Sequence, residues 1–193
     1  MTDPILGAIA DELREESSVI SPHVADPGGE ATLGALAAEG PASGEPGYAA
    51  IIELVREGYL LHYGDPRLID GADRDLMLLA GDYMYAKGLE RLAALGDLAA
   101  LRELSDLISL SAQLHADGAP PTDPEPATLW LASCVAISTG PSDAHEGAKD
   151  RLREDGSHER LYEVALAAAD RCGLDERFTA ASETVGFRPL NRG

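Results

Sequence analysis

Apolar residues recur at spacings of three and four along most of this chain, which is the pattern of amphipathic helices. No run of four or more residues alternates β-branched or aromatic side chains with polar ones, as a half-buried strand would. Alanine, leucine, glutamate and arginine fill the repeating segments, and these residues favour helices. The sequence therefore predicts an all-α fold built as a helical bundle.

Length and charge limit the classes of protein that fit. The 193 residues predict one all-α domain over 1–193, because a domain takes about 150 residues. Asp and Glu number 34 against 15 Lys and Arg, a net charge of -19 that disfavours nucleic acid and anionic membrane surfaces as partners. No segment reaches the roughly 20 apolar residues of a membrane span, and no secretory signal is visible. We expect a cytoplasmic protein.

Capping residues and glycines predict where the helices begin and end. Residues 1–47 are expected to hold N-terminal helices and a linker: a helix from Thr2 to Glu16, a loop to Gly29, a short helix over Glu30–Ala38 and a linker over Gly40–Gly47. Further helices are predicted over 48–63, 73–95, 97–116, 126–139, 142–154, 157–172 and 175–184, with 126–139 as a core helix and 73–95 and 97–116 as an antiparallel hairpin. Gly81 and Gly88, inside the second of these, predict close approach of another backbone.

Two blocks of this helical region resemble the trans-isoprenyl (polyprenyl) diphosphate synthase family. The first, AAIIELVREGYLLH over Ala49–His62, is similar to the family helix that leads into its first aspartate-rich motif. The second, LLAGDYMYAKGLERLAALGD over Leu78–Asp97, is similar to the next family helix, and ATLWLASCVAISTG over Ala127–Gly140 is similar to a helix lining the elongation cavity. The resemblance implies that residues 48–184 form the central helices of the isoprenyl synthase fold.

The chain departs from this family at its metal-binding motifs. Counted from the first block, the acidic positions of the first motif fall on Tyr63, Gly64 and Arg67, and the paired aspartates of the second motif fall on Ala167 and Ala168. The N-terminal Gly-Lys-x-x-Arg diphosphate-binding pattern has no counterpart. Ionisation of an allylic diphosphate needs magnesium held by carboxylates. We therefore expect no catalytic residues, no cofactor and a shortened, non-catalytic relative of the family.

The retained scaffold implies either a partner subunit, in a homo-oligomer or with a different protein, or a binder of an isoprenoid-like apolar chain. A ligand pocket would be lined by Tyr59, His62, Asp82, Tyr83 and Trp130, although large aromatic residues at helical spacing also suit a plain core. Asp82 lies within an apolar helix, so we expect it to be a buried hydrogen-bond acceptor.

The alternative is an active polyprenyl diphosphate synthase with a rearranged magnesium site. Asp65, Asp70 and Asp75 are the carboxylates available for it, but their spacing equally suits turns and helix caps. The two interpretations differ in one geometric respect: the metal site requires these carboxylates to converge with Glu53 or Asp82 on one cavity.

Overall fold

The structure is a computed structural model that describes residues 3–16, 19–43, 47–116, 118, 120 and 123–187. Over these residues it contains nine α-helices, one 3-10 turn and no strand beyond an isolated antiparallel bridge between Val24 and Ile69. The helices are α1 (Pro4–Glu16), α2 (Thr32–Ala38), α3 (Tyr48–Tyr63), α4 (Arg74–Leu95), α5 (Leu98–Ala116), α6 (Pro124–Thr139), α7 (Asp143–Asp155), α8 (Glu159–Arg171) and α9 (Asp175–Thr184). The predicted all-α class is confirmed.

The predicted helix bounds agree with the structure to within two residues. Asp73 caps α4, its carboxylate accepting the backbone N–H of Leu76 at 2.9 Å. At the start of the chain the predicted cap, Thr2, lies outside the described residues, and Asp3 instead accepts N–H groups of the first turn of α1. Residues 44–46 of the predicted linker also lie outside them.

α3 and α4 pack face to face through glycines. A Cβ atom placed on Gly88 would lie 2.5 Å from Cγ2 of Val55, and one on Gly81 would lie 2.7 Å from Nε2 of His62 and 3.2 Å from the carbonyl oxygen of Gly58. These distances are below ordinary carbon contacts of about 3.5–4.0 Å. The predicted close approach is confirmed, and the approaching backbone belongs to α3.

α5 runs alongside α3 in the same direction. The Tyr48 hydroxyl at the start of α3 donates to Asp97 at 2.5 Å, and Tyr63 at the end of α3 stacks on His115 near the end of α5. α4 therefore runs opposite to both, which confirms the antiparallel α4–α5 hairpin.

The hydrophobic side chains form two clusters that share α3 and α4. The larger lies among α2–α9, and the smaller joins α1, α3 and α4. α6 is buried at every residue from Pro126 to Ser138, as predicted for a core helix. None of the helices in the described segments combines the length and apolar character needed to cross a bilayer.

Candidate functional site

Aromatic side chains form a continuous chain of contacts from α6 to the end of α3. The rings of Tyr59 and Trp130 meet edge to face with centroids 5.3 Å apart, and each residue is only 1% exposed. The Tyr59 hydroxyl lies 3.0 Å from Nε2 of His115, whose ring stacks on Tyr63 at 4.1 Å. The rings that were expected to line an apolar pocket thus contact one another.

His62 and Asp82 extend this chain to the surface. Nε2 of His62 lies 3.1 Å from Oδ1 of Asp82, but the angle is not that of a hydrogen bond, and this buried nitrogen has no hydrogen-bond partner. The His62 ring stacks on Tyr85 with centroids 5.3 Å apart. The Asp82 side chain is 75% exposed, so the expectation of a buried acceptor is wrong. Asp82 is exposed because Gly81 and Gly88, rather than Asp82, lie on the side of α4 that packs against α3.

Tyr83 is the one predicted pocket residue that lies apart from the others. It faces α1, where its hydroxyl donates to Glu16 at 2.7 Å and lies 3.3 Å from Nζ of Lys87. These three residues and Glu90 line an open groove of about 460 Å³. The other four predicted residues share one region, and Tyr83 belongs to a separate, charged surface.

The three aspartates proposed for a rearranged magnesium site do not converge. Asp70 is exposed and accepts the backbone N–H of Gly71 at 2.7 Å, and Asp75 is exposed in the first turn of α4. Asp65 alone lines a cavity with Glu53, a space of about 190 Å³. The geometric condition set for the metal site is therefore not met by the described residues.

Arg67 instead binds two buried carboxylates of α3. Its Nη1 donates to Glu53 Oε2 at 2.8 Å and its Nε donates to Glu57 Oε2 at 3.1 Å, while those glutamates are 1% and 0% exposed. The second oxygen of Glu57 accepts the backbone N–H groups of Arg67 and Leu68, and that of Glu53 accepts the N–H of Gly34. Carboxylates so deeply buried need such partners. This arrangement fixes the α3–α4 loop and α2 on α3.

Arg56, which directly precedes Glu57 and lies three residues after Glu53, has a different environment. Its guanidinium lies 4.6 Å from the ring centroid of Tyr59 and 4.8 Å from that of Trp130. These are cation–π distances. Arg56 forms no ion pair with any carboxylate of the described residues.

A second buried ionic cluster joins α5, α6 and α7. Glu103 Oε1 accepts from Ser133 at 2.6 Å and lies 2.9 Å from Nε2 of His145, while its Oε2 accepts from Lys149 at 2.7 Å. Burial alone would raise the pKa of Glu103, but these bonds and the Lys149 charge hold it below its ordinary value.

This second cluster contains the one group of potential metal ligands found in the described part: Glu103, His145 and Glu146, whose ligand atoms lie within 4.8 Å of one another. The ammonium of Lys149 already lies 2.7 Å from Glu103 and 3.1 Å from Glu146. To bind here, a metal ion would have to displace the Lys149 ammonium from the carboxylates, although the Lys149 side chain is only 2% exposed. The cluster is therefore an internal ion pair that holds three helices together.

Sequence reasoning missed both ionic clusters, although one of them left a readable signal. His145, Lys149 and Arg153 recur every four residues on α7, and Glu103 and Asp106 are three residues apart on α5. Such spacings place each set on a single helix face. Two faces of opposite charge predict a contact between those helices.

Comparison with family models, with curated proteins and with solved structures finds no match to this chain.

Proposed function

We propose that this chain is a non-catalytic cytoplasmic protein, similar in its central helices to polyprenyl diphosphate synthases, that acts as a partner subunit of a different protein. The observation that supports the proposal is the surface of the α4–α5 hairpin. Large hydrophobic side chains are exposed at six described positions, and four lie on this hairpin: Leu78, Leu79, Leu95 and Leu98. Leu78 and Leu79 lie near the start of α4, whereas Leu95 and Leu98 lie at the α4–α5 turn, so the hairpin exposes an apolar pair at each end. Exposed apolar patches mark protein contact surfaces.

Charge on α4 favours a different protein over a second copy of the chain. Asp75, Leu79, Asp82 and Glu90 share one face of α4 because they are spaced by three, four and eight residues. Leu79 is 59% exposed, Asp75 and Asp82 flank it along this face, and Glu90 lies further along the same face. Two copies pairing here would bring like charges together, and each carries a net charge of -19. The fitting partner is a protein with an apolar patch surrounded by Lys and Arg.

The other two functions fit the geometry less well. An apolar-chain binder needs an open apolar cavity beside Tyr59 and Trp130, but these rings pack against each other and against Arg56. A prenyltransferase needs converging carboxylates, and Asp65 and Asp75 do not lie together. We expect the isolated chain to release no pyrophosphate from geranyl or farnesyl diphosphate with isopentenyl diphosphate and magnesium. Turnover that depends on the carboxylates of Asp65, Asp70 and Asp75 would overturn the proposal.

A photocrosslinking side chain in place of Leu79, in cells of the source organism, tests the proposed surface. The crosslinked protein is then purified and titrated against the wild-type chain, Leu79→Asp and Leu166→Asp. Leu166 is 41% exposed on α8 and provides the matched control. We expect Leu79→Asp to weaken binding about tenfold or more, as for a central interface residue, and Leu166→Asp to leave it unchanged. Binding should also weaken as salt is raised.

Three outcomes would contradict the proposal. The crosslink could join only two copies of this chain, which sedimentation at micromolar concentration would report as a dimer lost in Leu79→Asp. The captured protein could bind both aspartate variants equally well. Binding could be insensitive to salt, which would remove the argument from charge.

A further inference from the structure

A cation that forms no ion pair with a carboxylate of the described residues lines a small cavity between α2, α3, the α3–α4 loop and α9. The cation is Arg56, held over the rings of Tyr59 and Trp130. Among the described residues, every other Lys or Arg that is buried or half-buried pairs with at least one carboxylate. Arg56 is therefore the exception within the protein's own pattern.

A lack of acidic residues does not explain this exception, because Asp and Glu outnumber Lys and Arg by 34 to 15. Burial lowers the pKa of Arg56 from its ordinary value, so the surrounding protein disfavours its charged form. The two aromatic rings offset part of that cost. An anion in contact with the guanidinium would offset more of it.

The cavity beside Arg56 has a volume of about 190 Å³. Leu33 and Leu60 give it an apolar side. Glu53 also lines it, but one oxygen of Glu53 accepts from Gly34 and the other from Arg67, so this carboxylate is already engaged. Two arginines line the cavity: Arg67, which already pairs with Glu53 and Glu57, and Arg56, which pairs with neither.

We infer that this cavity binds a small organic monocarboxylate, with the carboxylate on Arg56 and the apolar end against Leu33 and Leu60. A planar guanidinium matches a carboxylate through two parallel hydrogen bonds. A phosphate dianion would bring a second negative charge near Glu53 and Asp65. The volume is below the roughly 300 Å³ of pockets for drug-sized ligands, which limits the occupant to a few carbons. This inference is independent of the proposed partner.

Trp130 gives a direct readout, because it is the only tryptophan of the chain and the Arg56 guanidinium lies over its ring. The wild-type protein is titrated with sodium acetate, butyrate and hexanoate at constant ionic strength, with butanol and sodium chloride as controls. We expect a saturable change in tryptophan emission with the carboxylates, at lower concentration for butyrate than for acetate, and none with the controls. A response to chloride or butanol equal to that of butyrate would overturn the inference. So would saturation by inorganic phosphate without saturation by any carboxylate.

Two substitutions with opposite expected effects on butyrate binding test the location of the site. Arg56→Lys keeps a positive charge but loses the planar donor pair, and we expect it to weaken butyrate binding about tenfold. Asp65 is exposed at the cavity, so Asp65→Asn leaves the fold intact and removes a negative charge near the ligand. It should tighten binding about two- to fivefold. If Arg56→Lys does not fold, Asp65→Asn still decides, because unchanged or weaker binding in that variant contradicts the site.

Discussion

Glycine-to-alanine substitution should lower the stability of the protein at Gly88, where α4 packs on α3, and raise it at Gly147 on α7. In Gly88→Ala the new Cβ would lie 2.5 Å from Cγ2 of Val55, about 1 Å inside an ordinary contact of about 3.5 Å. Val55 is β-branched and cannot readily rotate away, and the backbone oxygen of Ile51 lies 3.5 Å from the same point. In Gly147→Ala, within α7, the new Cβ would meet nothing within 4 Å.

The magnitudes follow from two terms. Alanine is about 1 kcal/mol better than glycine in a helix interior, and this gain applies at both positions. Overpacking costs about 1–3 kcal/mol, and the short distance to a stiff side chain places Gly88→Ala near the upper end. We expect a loss of about 2 kcal/mol at Gly88 and a gain of about 0.5–1 kcal/mol at Gly147. For a chain of this size the melting temperature should fall by about 4–8 °C and rise by about 1–4 °C, respectively.

Urea unfolding of the two variants and of a double-mutant cycle with Val55→Ala measures these terms. Val55→Ala removes the methyl group that the new Cβ meets, so the double variant should be more stable than the sum of the single changes by about 1–3 kcal/mol. Equal stabilisation by Gly88→Ala and Gly147→Ala would refute the reasoning. So would additivity of Gly88→Ala and Val55→Ala, because the clash would then lie elsewhere.

The two buried ionic clusters give further predictions. Arg67→Met leaves the carboxylates on α3 buried without their cation and should cost about 3–5 kcal/mol in urea unfolding. Arg177→Met breaks an exposed pair and should cost less than about 1 kcal/mol, and equal losses would contradict this difference. The folded-state pKa of Glu103 lies below its ordinary value, so its contribution is present above about pH 4.3 and is lost as pH falls through the folded-state pKa. The difference in free energy of unfolding between wild type and Glu103→Gln should therefore become smaller in acid. A difference that stays constant from about pH 7 to about pH 3 would contradict the lowered pKa of Glu103.

Helix positions were predictable because the residues that end helices act locally. Asp73 and Asp97 bond to N–H groups within three residues of themselves, and Gly96 adopts the left-handed conformation that stops α4. Such signals need no knowledge of the tertiary structure. α6 starts two residues before the predicted position, because Pro124 already occupies the first turn, where proline is tolerated.

The buried face of α4 was not predictable from apolar periodicity. This helix is apolar on most sides, so its apolar residues do not single out one buried face, and Leu79 is in fact 59% exposed. The face was decided by Gly81 and Gly88, seven residues apart on one side, where the absence of a side chain lets α3 approach. On such a helix the small residues carry more information than the large ones.

The carboxylates of α3 were hidden for a different reason. Sequence patterning treats glutamate as a surface residue, and Glu53 and Glu57 are among the least exposed residues of the structure. Their cation, Arg67, is ten or more residues further along the chain and follows a turn. It occupies the position where the resemblance would place the last aspartate of a magnesium motif. The pairing depends on how the α3–α4 loop folds back, which no local pattern specifies.

Because this acidic chain has few cations, single Lys and Arg side chains in its interior each pair with two carboxylates. Three cations each bridge carboxylates from different elements or turns: Lys87 joins two acids of α1, Arg67 joins two of α3, and Lys149 joins acids of α5 and α7. Each bridge reduces the repulsion that a net charge of -19 brings to a compact fold. The placement of Arg56 over aromatic rings, open to a cavity, is the arrangement expected of a cation that is kept for an anion from outside the chain.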